Sequence, residues 1–402
     1  MAFQFSAGRY ANFLTRLRTA PVQSSSDALY PVAGLYDGRA NMPTRWAAAT
    51  ADCNVYADLC PWGDPSFEAG VSEWTQVSGT MDQSGTQKAT GSYSARFTAA
   101  GSYYYEFSAR AGEARTISAW LYGGGGSCAA VVRVYCVETG HYLQSGGASW
   151  AAGSSNVLSR TTASGATSTQ AYTVEPLSTT FADVVTLRVY VAQENAGTTY
   201  RDDVTDLPAV TFSSVHGHNF GAALTPKVQS SPDNVTWTDR ITPTLRRDVI
   251  WGTVAATYVR YWRLLLSGTP GAIPWAGEWW LGQYGSFTCA PDYPLTIEYD
   301  DHQTRAEAGD GAQSVYLRGG APIRRVAMVF RPRNDAEYQQ LRDEVWRASR
   351  GGRYPMILVP TETDSDTCIM GRLVDSVQVQ RTSYALRGMD LEMMEEPLPQ
   401  MG

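Results

Sequence analysis

VHGHNFGAALTPKVQSSPDNVTW, Val215 to Trp237, reads as the middle of a β-sandwich and not as its start. Alternating apolar residues lead into His218-Asn219-Phe220-Gly221, a turn that would set side chains at one end of a sandwich. A strand follows, and Ser231-Pro232-Asp233-Asn234 makes the next turn. The strands that should precede this stretch are not found immediately upstream of it, so the organisation of the whole chain turns on where its domain begins.

The chain has 402 residues, enough for two to four domains. With 37 Gly, 23 Tyr and 12 Trp, recurrent short Ser/Thr runs and only 18% charged residues, the composition is that of turn-rich, mainly β structure. A net charge of -7 and a pI near 5.2 provide no general attraction to nucleic acid or anionic membranes. No nucleic-acid partner is expected. The six cysteines lack C-x-x-C spacing and read as buried free thiols. The N-terminus has no apolar signal-peptide core and no run of about 18 apolar residues occurs, so assembly in a cytoplasm without membrane insertion is expected.

Residues 1–28 read as a polar arm that either docks on a neighbour, through Phe13, Leu14 and Leu17, or frays. LYPVAGLYDG (29–38), TRW (44–46) and the strand CNVYADL (53–59) follow. They resemble the opening of discoidin-like (F5/8-type C) domains, in the version found in phage tail proteins. The next segment of that pattern, AVTFSSVHGHN (209–219), arrives about 150 residues further on. KVQSSPDNVTW (227–237), YVRYWRLLL (258–266) and AGEWWLG (276–282) then resemble the remainder of the same domain. The resemblance implies a discontinuous host sandwich over 29–62 and 207–284.

Between the two pieces, SFEAG (66–70) with Trp74, TGSYSARF (90–97) and YRDDV (200–204) resemble, in order, the signatures of family 4/9-type carbohydrate-binding jelly rolls. Residues 63–206 are therefore expected to be an inserted module, which a loop with closely spaced ends accommodates at little cost. The resemblance implies a structural calcium at Glu68, Asp202 and Asp203, since clustered carboxylates favour a hard cation; as residues they also read as ordinary turn carboxylates.

Strand phases within the insert add an observation independent of any family. Period two sets Trp120 and Tyr122 opposite Ile117, Ala119 and Leu121, sets Arg133 and Tyr135 opposite Val132 and Val134, and sets Arg188 and Tyr190 opposite Leu187, Val189 and Val191. If these strands are neighbours in one sheet, Trp120, Tyr122, Arg133, Tyr135, Arg188 and Tyr190 form a face suited to a glycan, by ring stacking and guanidinium hydrogen bonds. Aromatics and arginines equally favour protein packing, and both readings stand at this level. His216 and His218 form an H-x-H pair that could share a metal ion, but the turn chemistry already accounts for His218 and Asn219.

Residues 285–402 change character: strands interrupted by one helix over 334–350, with Asn334 and Glu337 as its capping box and Tyr338, Leu341, Val345 and Ala348 on one face. The order of these elements, with RGGRYPMILVP (350–360), a strand containing Gly371 and Leu373, and LEM (391–393), resembles the β-barrel domain of distal-tail proteins of phage baseplates. No nucleophile elbow, phosphate loop, H-E-x-x-H or long repeat is present, so no enzyme is expected.

The resulting expectation is a mainly β chain: two β-sandwich modules, one inserted in the other, plus a C-terminal β-barrel-like domain with one helix. Its expected setting is a phage tail tip or baseplate in the virion, as a homo-oligomer bound to other tail proteins and touching host-surface glycan. A stand-alone lectin-like or glycan-processing protein is the alternative.

Overall fold

The structure, a computed structural model, describes residues 4–6, 12–37, 39, 42–175, 184–245, 249–286, 289, 291–292, 296–300, 303–307, 313–317, 323–332, 334–347, 349, 352–359, 368–374, 378–381 and 387–397. It is mainly β, in antiparallel sheets, with a single α-helix among the described residues.

The strand Val210–His218 that opens the deciding stretch lies between Val249–Thr257 and Trp275–Gly282, with Thr44–Arg45 at the far edge. The second sheet runs Thr238–Ile241, Thr225–Ser231, Tyr261–Ser267, Cys53–Asp58 and Val22–Gln23. Cys53–Asp58 therefore pairs with a strand some 200 residues later, from Cys53 opposite Leu266 to Asp58 opposite Tyr261. The turns form as their residues dictate. Asn219 accepts the Trp275 N–H and donates to the Ile273 carbonyl, while Asp233 accepts the N–H groups of Thr236 and Val235, which hold its carboxyl down at about 2.

Residues 75–208 supply all the strands of two further sheets. One contains Ala114–Tyr122, Gly165–Thr173 and Thr199–Pro208; the other contains Gly101–Arg110, Ala129–Cys136 and Val184–Glu194. Successive long strands alternate between the two sheets, the topology of a jelly roll. Its ends meet: the Trp62 indole donates to the Val204 carbonyl at 2.7 Å, and the Val204 N–H donates to Pro65 at 2.9 Å. Trp62 is fully buried against Trp74, Tyr105 and Phe107, burial worth about 2–3 kcal/mol.

The third region is an eight-stranded sheet whose members include Ile323–Phe330, Met356–Val359, Ile369–Leu373 and Arg387–Glu395. The helix covers Asp335–Leu341 and continues as a wider π-type turn over Arg342–Arg347. Asn334 caps it by accepting the Glu337 N–H. Leu341 and Val345 are buried against the sheet; Ala348 lies outside the described residues. A separate apolar cluster joins this region to the host sandwich, with Phe212, Val249 and Trp280 on one side and Ile357, Val359 and Met370 on the other.

The arm docks on its own chain and crosses every part of it. Gln4–Ser6 joins the C-terminal sheet between Met356–Val359 and Gly285–Ser286. Asn12 sits buried in the host, donating to the Glu278 carboxylate and Trp279 carbonyl and accepting from the Leu281 and Leu14 N–H groups. Arg16 and Arg18 pair with Glu113 and Glu73 of the jelly roll, and Val22–Gln23 pairs with Val55 and Tyr56. Replacing Asn12 by Ala leaves several buried polar groups without their partner. The expected result is a loss of about 2–4 kcal/mol in urea unfolding followed by tryptophan fluorescence; an unchanged midpoint would show that Asn12 does not anchor the arm.

Candidate functional site

The jelly roll brings together part of the face expected from sequence and divides the rest. Trp120 and Tyr122 stand on the strand Ala114–Tyr122, in the other sheet from Arg133, Tyr135, Arg188 and Tyr190. Because the apolar faces of both sheets point into the core, the two groups face away from each other. The six residues do not form one face. Trp120 packs on Tyr122 and Tyr122 on Tyr200, and the Trp120 ring lies over Gly165, where a Cβ would sit 1.9 Å from it.

On the second sheet the remaining four residues gain two tyrosines that sequence reading passed over. Across adjacent strands, Tyr142, Tyr135, Tyr190 and Tyr104 form a continuous row, with ring centroids 4.7, 6.4 and 5.4 Å apart in that order. Four strands at the usual spacing extend the row over about 14 Å. The rings are half-buried and present their outer faces. Tyr104 belongs to the run Tyr103-Tyr104-Tyr105, where consecutive aromatics hide the phase; the exposed Glu106 and Ser108 that follow on its face are the signal that could have revealed it.

Ion pairs brace the row. Arg188 lies 4.7 Å over the Tyr104 ring and donates to Glu106 at 2.7 Å, which raises its pKa. Arg133 donates to Glu194 at 2.6 Å and to Asn156 at 2.7 Å, and Asn156 also donates to Glu194. Burial raises the Tyr190 phenol, so it stays neutral and acts as a hydrogen-bonding ring. The arrangement offers flat apolar rings edged by oriented donors and acceptors, the chemistry that recognises a sugar's C–H face and hydroxyls.

Glu68, Asp202 and Asp203 surround one loop. Glu68 accepts the N–H groups of Ser92 and Tyr93; Asp202 accepts those of Ala89, Thr90 and Asp203; Asp203 accepts the Thr90 hydroxyl. Gly91, at φ +57, leaves room for Glu68, whose carboxylate a Cβ would strike at 2.2 Å. Burial pushes Asp202 up to about 6. Among the described residues no three His, Cys, Asp or Glu side chains converge to hold a metal ion. In this geometry the carboxylates fold the loop as acceptors.

His216 and His218 are buried in the host sandwich. His216 hydrogen-bonds Ser214 at 3.0 Å, and His218 accepts the Phe220 N–H and stacks on its ring at 4.5 Å. Burial lowers His216 to about 3, helped by Arg324 and His218, and burial lowers His218 to about 4.

The segment 75–208 thus defines a two-sheet antiparallel jelly roll with one open aromatic face. No protein-family model matches the chain, and no curated protein matches it. Solved structures similar to it include a family 16 carbohydrate-binding module, 12% identical over 36% of this chain and 97% of that one, TM-score 0.27. They also include the C-terminal family 22 carbohydrate-binding module of Clostridium thermocellum Xyn10B, 17% identical over 37% and 94%, TM-score 0.26. A third is the enzymatically active domain of bacteriophage CBA120 tailspike protein 4, 13% identical over 37% of this chain and 21% of that one, TM-score 0.26. At these scores the likeness assigns no ligand.

Both histidines titrate in the unfolded chain near 6.5 and in the native protein only far below, so their contribution to stability is complete above pH 6.5 and declines as pH falls toward 4. Asp202 acts oppositely, favouring the fold as it protonates below about 6. Each histidine contributes a slope of up to ~1.4 kcal/mol per pH unit. Stability measured from pH 7 to 4.5 is expected to fall less steeply in His216→Gln than in wild type, and equal slopes would refute the buried neutral state.

Proposed function

We propose that this protein binds glycan along the row Tyr142, Tyr135, Tyr190 and Tyr104, and that it is a binding component rather than an enzyme. The supporting observation is the row itself: four rings continuous across four strands, open on one face and fixed by the Arg188–Glu106 and Arg133–Glu194 pairs. Stiff tyrosines lose little conformational freedom on binding, and paired guanidinium groups keep directed donors without further ordering. The setting we propose is a phage tail tip or baseplate, with the C-terminal region assembling with further copies and other tail proteins. The sequence resemblances of the host sandwich and C-terminal region support that setting, and electron microscopy of labelled tail particles tests it.

A glycan array followed by calorimetry tests the binding reading. Tyr190→Ala is expected to weaken binding about tenfold or more, ~1.4 kcal/mol. Trp120→Ala, on the opposite sheet, is expected to leave it unchanged. Loss of binding in Trp120→Ala with wild-type binding in Tyr190→Ala would place the site on the other face.

A further inference from the structure

A cavity of about 440 Å³ opens where the arm crosses the jelly roll. Its walls include Arg16 and Arg18 of the arm, Cys60 of the segment entering the insert, and Tyr105, Glu106 and Phe107 of the strand Gly101–Arg110. The neighbouring strand Thr75–Ser78 pairs with this strand only as far as Tyr104. Beyond that point the cavity takes the place of a further strand along the sheet edge.

The cavity adjoins the end of the tyrosine row along the strand Gly101–Arg110. Glu106 lies in its wall and also holds Arg188 over Tyr104. From Tyr104 to Glu106 is two residues along one strand, about 7 Å. Phe13, Arg115 and Pro208 also line it. The lining chemistry suits a sugar ring: half-buried Tyr105 and Phe107, the hydroxyls of Thr15 and Ser108, and a carboxylate. Arg16 adds a cationic side chain held in place by Glu113, which accepts from its Nη2 at 2.7 Å. The volume is at the small end of ligand pockets, which suits the end of a chain.

We propose that this cavity is a terminal subsite: it takes the end residue of an oligosaccharide lying along the tyrosine row, so that the arm makes the protein a reader of chain ends. This rests on the glycan-binding reading of the row. Arg16 and Glu106 address the hydroxyls and ring oxygen of the end residue, and Tyr105 and Phe107 form its apolar wall.

The test is calorimetry of the full chain with cello-, xylo- and galacto-oligosaccharides of increasing length and the corresponding soluble polysaccharides. For a series whose binding Tyr190→Ala weakens, we expect saturation of the polymer at one protein per chain. We also expect a tenfold or greater loss when one end of the oligosaccharide carries a bulky fluorophore. Ser108→Trp, at an exposed position in the cavity wall, is expected to fold normally by melting temperature and to weaken oligosaccharide binding at least tenfold. Many proteins bound per polymer chain, or wild-type affinity in Ser108→Trp, would overturn the terminal subsite while leaving the row intact. Absence of binding in every series would overturn both.

Discussion

The relation of the jelly roll to the rest of the chain depends on one buried cluster of charges. Arg115 donates through Nε to Asp206 at 2.6 Å and through Nη1 to Glu113, which also takes Arg16 of the arm. Tyr172 donates to Asp206 as well. Burial alone would raise Glu113, but the guanidinium groups of Arg16 and Arg115 more than offset it and hold the carboxyl below its usual range. Two cations and two carboxylates thus balance out of water. Removing one would strand a buried charge at a cost of about 3–5 kcal/mol. An apolar contact would hold the same parts together while tolerating rotation; here each bond has a direction. Gln283 of the host completes the junction by donating to the Ala114 carbonyl at 2.9 Å.

That junction accounts for the position of the candidate site. Asp206 lies on the strand leaving the insert, Glu113 and Arg115 where the chain passes from Gly101–Arg110 to Ala114–Tyr122 in the other sheet, and Arg16 on the arm. The same Arg16 and Arg115 line the cavity at the end of the tyrosine row. The cluster that orients the module therefore also shapes the cavity beside the row. A longer or slacker arm would leave the row intact and open that end.

Much of this was legible in the sequence, and the losses have identifiable causes. Strand phase was readable, because period two separates Arg188 and Tyr190 from Leu187 and Val189 without further information. Which sheet each strand joins was not. Consecutive long strands of a jelly roll alternate between sheets, so Trp120 and Tyr122 fall on the opposite layer from Tyr135 although only a short connection separates their strands. Tyr142 stands on a three-residue strand, His141–Leu143, too short to show a period. The arm's role was hidden for another reason: the partners of Arg16 and Asn12 lie 97 and 266 residues away, and no local pattern marks a residue whose function is to reach that far.

The two outer faces of the jelly roll show why aromatic content alone assigns no function. Trp120 has Gly165 beneath it, so its indole covers bare backbone that would otherwise be exposed. Tyr190 has Arg133 directly opposite and Tyr104 on its other side, so its neighbours support the ring without covering it. Both are half-buried aromatics on outward-facing positions of central strands. What separates a ring that seals a sheet from one that can receive a ligand is the cross-strand neighbour, and that neighbour is set by register between segments distant in sequence.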